Sequence, residues 1–72
     1  MKKIKKIEIK LNGKKKIINE KSTIKNIVIN LKIPLKKVAI ELNQEIVDKK
    51  KLSKIKLKNN DKIEIVHFIG GG

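Results

Sequence analysis

Cysteine, arginine, tryptophan and tyrosine are absent from this 72-residue chain, and proline, histidine, methionine and phenylalanine occur once each. Without cysteine there is neither a disulfide framework nor a thiolate metal site. A chain near the lower size limit for a self-supporting core must then fold on aliphatic burial alone. Without arginine, the bidentate fork that reads guanine edges and phosphates is missing. A single phenylalanine makes no stacking platform for single strands. No apolar run approaches the roughly 20 residues needed to span a bilayer. The opening MKKIKKIEIK alternates lysine with isoleucine, where a signal peptide continues as one apolar stretch. These absences read as a soluble, cytoplasmic chain of one domain.

Positive charge is the feature in excess. Twenty lysines against seven acidic residues give a net charge of +13. Such a charge points to nucleic acid or an anionic surface when it is clustered. Here the lysines spread along the whole chain, largely at alternate positions of apolar segments, which is the pattern of a solvated face. A basic nucleic-acid-binding module is therefore the alternative from another class, and it ranks second.

The apolar residues divide the chain into elements. In IEIKLNGKKKII, Ile7, Ile9 and Leu11 alternate with Glu8 and Lys10, and Asn12-Gly13 supplies a two-residue hairpin turn before Ile17 and Ile18. Ile24, Ile27, Val28 and Leu31 fall at i, i+3, i+4 and i+7, the stripe of a short helix. Thr23, or else Ser22, caps that helix, and it must end before Pro34. VAIELN alternates again, with Val38, Ile40 and Leu42 inward and Ala39 outward. A turn at Asn43-Gln44 leads to the short strand EIV. KKKLSKIKL reads as a loop with a helical turn, NND as a turn, and KIEIVHF as the last strand, with Ile63 and Ile65 inward. The result is ββαββ with one extra short strand: an α+β chain whose mixed sheet of four to five strands carries one main helix on one face. That arrangement is a β-grasp.

Little chemistry is available inside such a fold. His67 is the single histidine, and a lone histidine at a strand end is more often structural or exposed than catalytic. Ser22 and Ser53 lack a histidine partner in sequence. Glu41 and Glu45 are four apart, but on a strand and turn they do not share a face. No phosphate-binding loop is present. On these grounds the chain reads as neither an enzyme nor a metal-binding domain. On the outward parity, however, Val66 and Phe68 form a small apolar patch with Ala39 if their strands are neighbours.

Three of the four glycines are consecutive, Gly70 to Gly72. At average glycine usage, three in a row at a given terminus arise by chance roughly a few times in ten thousand. Glycine lets a tail thread a narrow channel and lets its backbone approach a ligand closely. Its tip is the α-carboxylate of Gly72, unreactive until activated, for example as an acyl-adenylate. Residues 1–72 therefore read as one β-grasp domain in which 69–72 form a flexible C-terminal tail.

The segments LNGK, STIKNIV, VAIELNQEIV and DKIEIVHFIGGG together resemble the prokaryotic ubiquitin-like sulfur carriers, and among them the thiamine-biosynthesis (ThiS-type) carriers. Small subunits of molybdopterin synthase share the fold and the Gly-Gly end, but typically place Pro-Pro before it, and HFIGGG has none. The resemblance implies a carrier that binds no cofactor itself. A ThiF-type adenylyltransferase would use ATP and Mg²⁺ to adenylate the Gly72 carboxylate. Sulfur from a cysteine desulfurase or another donor would leave a thiocarboxylate there, and a ThiG-type thiazole synthase would accept it. Gly70 and Gly71 would thread the partners' active sites, while Ala39, Val66, Phe68 and Ile69 would dock. Carriers for molybdopterin or tRNA thiolation are the alternative of the same chemistry. The chain departs from the family pattern at Asn60, where glycine is common, and at Asp48, where proline is frequent.

Overall fold

In the computed structural model, which describes residues 5–68, strand β1 (Lys6–Leu11) pairs antiparallel with β2 (Lys14–Asn19). Asn12 (φ 50°) and Gly13 (φ 83°) both adopt the left-handed backbone that a two-residue hairpin turn requires. Ile9 and Ile18 are buried against the helix. Ile17 points to the opposite face and is 59% exposed.

Thr23 caps helix α1 (Ile24–Asn30). Its hydroxyl accepts from the Asn26 N–H at 3.2 Å, and the Asn26 side chain accepts from the Thr23 N–H at 2.8 Å, a reciprocal capping box. Ser22 instead donates its hydroxyl to the Asn19 carbonyl. Ile24, Ile27 and Val28 are buried as the periodicity predicts, but Leu31 is not part of the stripe: it is the C-cap and 39% exposed. The cause lies in the next residue. Lys32 turns to φ 57°, its N–H donates to the Ile29 carbonyl, and the Ile33 N–H donates to the Val28 carbonyl. This is a Schellman closure with lysine at the position usually held by glycine, and it ends the helix ahead of Pro34.

Strand β3 (Val38–Leu42) follows a 3₁₀ turn at Leu35–Lys37. It is joined to β4 (Glu45–Ile46) through Asn43 and Gln44, both at positive φ. Asp48 then caps a second 3₁₀ turn, Lys49–Lys51, by accepting from the Lys50 N–H. Asn60 takes φ 74°, so it tolerates the left-handed geometry that glycine supplies elsewhere. The last strand, β5 (Lys62–His67), enters the centre of the sheet, whose order is β2-β1-β5-β3-β4. It runs parallel to β1 and antiparallel to β3. The fold is the predicted α+β arrangement of five strands and one α-helix. Among the described residues, no helix is long and apolar enough to cross a membrane.

The core is aliphatic: Ile9, Ile24, Val28, Val38, Ile40, Leu52 and Ile63 are almost completely removed from water, each worth about 1.5–3 kcal/mol of burial. Leu52 and Leu57 come from the lysine-rich loop, whose spacing matches neither a helix nor a strand. That loop runs against the start of α1. The Ile55 and Leu52 carbonyls accept from the Ile24 and Lys25 N–H groups, which have no acceptor inside the helix. The loop thus terminates the helix and contributes to the core together.

One side chain extends the central pairing. The Asn12 amide oxygen accepts from the Ile65 N–H at 2.7 Å, its NH₂ donates to the Ile65 carbonyl at 3.4 Å, and its own N–H donates to the Ile63 carbonyl. Asn12→Ala is expected to lower the urea unfolding free energy by about 1–3 kcal/mol by leaving part-buried groups unpaired. Asn12→Asp keeps the acceptor and should lose less. At the helix end, Lys32→Gly relieves left-handed lysine backbone and should raise the urea unfolding free energy by about 0.5–1 kcal/mol.

Candidate functional site

Alternation along β5 sends Ile63 and Ile65 into the core and leaves Lys62, Glu64 and Val66 on the face opposite the helix. Pairing with β3 sets Ala39 directly opposite Val66, so the neighbour relation on which the apolar patch depends is present. Val66 is 50% exposed and Phe68 57%. Ala39 is half-buried. The Lys49 ammonium lies 5.5 Å from the centre of the Phe68 ring, a cation–π contact that holds the ring at the strand end. The Lys49 ammonium also donates to the Leu35 carbonyl. Ile69 and Gly70 to Gly72, the other predicted site residues, lie outside the described residues.

The structure adds members that strand periodicity did not assign. Ile46, 78% exposed, pairs with Glu41 and so shares the open face with Ala39. Its strand is only two residues long, too short for alternation to show a face. Ile17 lies on the same face at the far edge, opposite Glu8.

Charge on this face departs from that of the whole molecule. Glu8, Glu41 and Glu64 lie there among Lys6, Lys10, Lys15 and Lys62, which brings the face close to neutrality. Glu41 stands directly opposite Glu64. Two like charges at one cross-strand position destabilise a sheet by some tenths of a kcal/mol, up to about 1. The lysine excess is carried by the helix side and the loops. Glu45 pairs with Leu42 on the helix side, so Glu41 and Glu45 are indeed on different faces.

The described residues contain no group of three or more metal-ligating side chains. His67 is exposed at the end of β5 opposite Val38. The surface depressions, about 210–380 Å³ in volume, are open grooves. What the geometry offers is a sheet face with an apolar patch, placed where β5 leads into the glycine-rich end of the sequence. Because Val66 and Phe68 make little core contact, Val66→Ser and Phe68→Ser should each change the unfolding free energy by no more than about 0.5 kcal/mol. Ile65→Ser, one residue away but buried, should cost more than about 2 kcal/mol in the same urea titration.

Comparison with known proteins points the same way as the geometry. The model of the ThiS family matches residues 6–72. The sulfur carrier protein ThiS of Bacillus subtilis is 38% identical over 65 residues, which is 89% of this chain and 98% of that protein. Thiazole synthases of Paramagnetospirillum magneticum and Magnetococcus marinus are each 35% identical over 66 residues. The chain spans only 20% of the length of those two synthases. Among solved structures, the thiamine biosynthesis protein (ThiS) of Geobacter metallireducens superposes with a TM-score of 0.79 at 26% identity, covering 92% of this chain and 100% of that one.

Proposed function

The chain belongs to the ThiS family, whose model spans residues 6–72, and on that premise we propose that it carries sulfur on its C-terminal glycine for thiamine (thiazole) biosynthesis. One observation carries this reading: the central strand β5 leads from an exposed apolar patch into three consecutive glycines. The patch docks on a partner enzyme, and the unbranched glycines enter that enzyme's active site. The chain acts in the cytoplasm as a co-substrate and supplies no catalytic side chain.

The chemistry follows from the carboxylate. A free carboxylate resists attack because its charge is delocalised and oxide is a poor leaving group. In the active site of an adenylyltransferase, the Gly72 carboxylate attacks the α-phosphorus of Mg²⁺-bound ATP and expels pyrophosphate, forming an acyl-adenylate. A sulfur nucleophile, supplied as persulfide by a cysteine desulfurase or by a related donor, adds to the acyl carbon and expels AMP. Reductive or thiolytic cleavage of the remaining sulfur–sulfur bond leaves the thiocarboxylate. Thiazole synthase then accepts the sulfur, and the carboxylate is regenerated by hydrolysis. Two relatives named thiazole synthase contain a segment similar to 92% of this chain within a much longer polypeptide, which supports a carrier and a synthase that work side by side. The absence of cysteine fits a sulfur that travels on the chain terminus.

Ordering the glycine tail costs about 1–2 kcal/mol per residue, which contacts in the partner's channel must offset. The patch residues Ala39, Val66, Phe68 and Ile69 provide the docking that holds the domain while the tail enters. Incubation with ATP, Mg²⁺, the adenylyltransferase of the same cell and a sulfur donor should make the intact chain heavier by the difference between one sulfur and one oxygen atom. Deleting Gly71 and Gly72 should abolish that mass change while leaving the unfolding curve unaltered. An unchanged mass with a partner that modifies its own carrier would refute the reading. Undiminished binding to nucleic acid by the deletion variant, together with no mass change in the full chain, would favour the basic-module alternative.

A further inference from the structure

Among the described residues, the pairing of β5 is complete on one edge and stops short on the other. Toward β3, backbone groups of the even-numbered residues are engaged as far as Phe68, whose N–H donates to the Lys37 carbonyl at 2.9 Å. Toward β1, the odd-numbered residues are engaged in order. The Asp61 carbonyl accepts from the Lys10 N–H, the Ile63 carbonyl accepts from the Asn12 N–H, and both backbone groups of Ile65 bond the Asn12 side chain. The parallel register of β1 with β5 ends at Leu11 opposite Ile63, because β1 turns away through Asn12 and Gly13. By the same alternation, the next odd residue, His67, directs its N–H and C=O to this side, beyond the end of β1. His67 is exposed.

We propose that an extended backbone segment of the adenylating enzyme adds to the sheet at this edge, pairing with His67 on the side vacated by β1. The inference rests on the carrier reading above and adds the edge, the sidedness and the first paired residue. On the carrier reading Gly72 is the reacting residue, and the four residues from Ile69 to Gly72 reach at most about 14 Å, so the lip of a site that receives Gly72 lies against the end of β5. Main-chain pairing suits this position. It grips the strand that leads toward Gly72 at its last described residues, and it relies on main-chain groups, so it makes no demand on the side chains there. Asn12 sets where it begins: its side chain already occupies Ile65, so added pairing starts at His67. An open edge of one residue also presents little template for aggregation, in contrast to a long bare strand.

The test is amide hydrogen exchange by NMR on the ¹⁵N-labelled full chain, alone and in complex with its adenylyltransferase. In the free protein, the amides of Val66 and Phe68 should exchange slowly because they face β3, while the His67 amide between them exchanges fast. In the complex, His67 should slow by at least about tenfold and show a short-range backbone NOE to the enzyme. A complex in which His67 exchanges as fast as before overturns the proposal while leaving the carrier reading intact. Protection of His67 without any backbone NOE to the enzyme also overturns it, since simple burial then explains the slowing. Failure to form a complex or to adenylate Gly72 overturns both readings.

Discussion

The parallel pairing of β5 with β1 is the constraint on which the remaining structure depends. These two strands come from opposite ends of the chain, yet they lie side by side in the middle of the sheet. Parallel neighbours cannot be joined by a tight turn, so the intervening residues must cross over and return. Here that crossover contains β2, the helix, β3 and β4, and it buries one face of the sheet as it passes. Ile63 and Ile65 of β5 become core residues because material lies on both sides of their strand.

Side-chain amides compensate where backbone pairing is short. Asn12 prolongs the β1–β5 contact. The Asn43 side chain accepts from the Lys62 N–H and donates to the Asp61 carboxylate, and the Asn59 side chain accepts from the Glu8 N–H. Asn12 and Asn43 thus anchor β5 itself, and Asn59 ties the turn that precedes it to β1. This gives the strand a fixed lateral position, and hence fixes where Phe68 hands the chain on.

The open face combines features that a stability optimum would avoid. Exposed Ile17, Ile46, Val66 and Phe68 gain little from folding, and Glu41 faces Glu64 across the strands. A surface that keeps such features while the core is closely packed is tuned for something other than the free fold. The net charge of +13 opposes self-association of isolated copies through that face.

Sequence periodicity by itself determined the hairpin at Asn12-Gly13, the helix face of Ile24, Ile27 and Val28, the outward parity of Val66 and Phe68, and the glycine end. Each is local: a turn residue states its own φ, and alternation states which residues share a face. The family resemblance was legible because it lies in contiguous motifs. Tertiary structure alone decided the rest. Leu31 left the helix stripe because Lys32 could be held in left-handed backbone by the Val28 and Ile29 carbonyls. Leu52 and Leu57 became core because an irregular loop was packed against the helix start, which no period describes. Ile46 and Ala39 came to share a face, Glu41 and Glu64 came to oppose one another, and His67 was left at an open edge. Those relations depend on strand order and register, which are set by contacts between residues far apart in the chain.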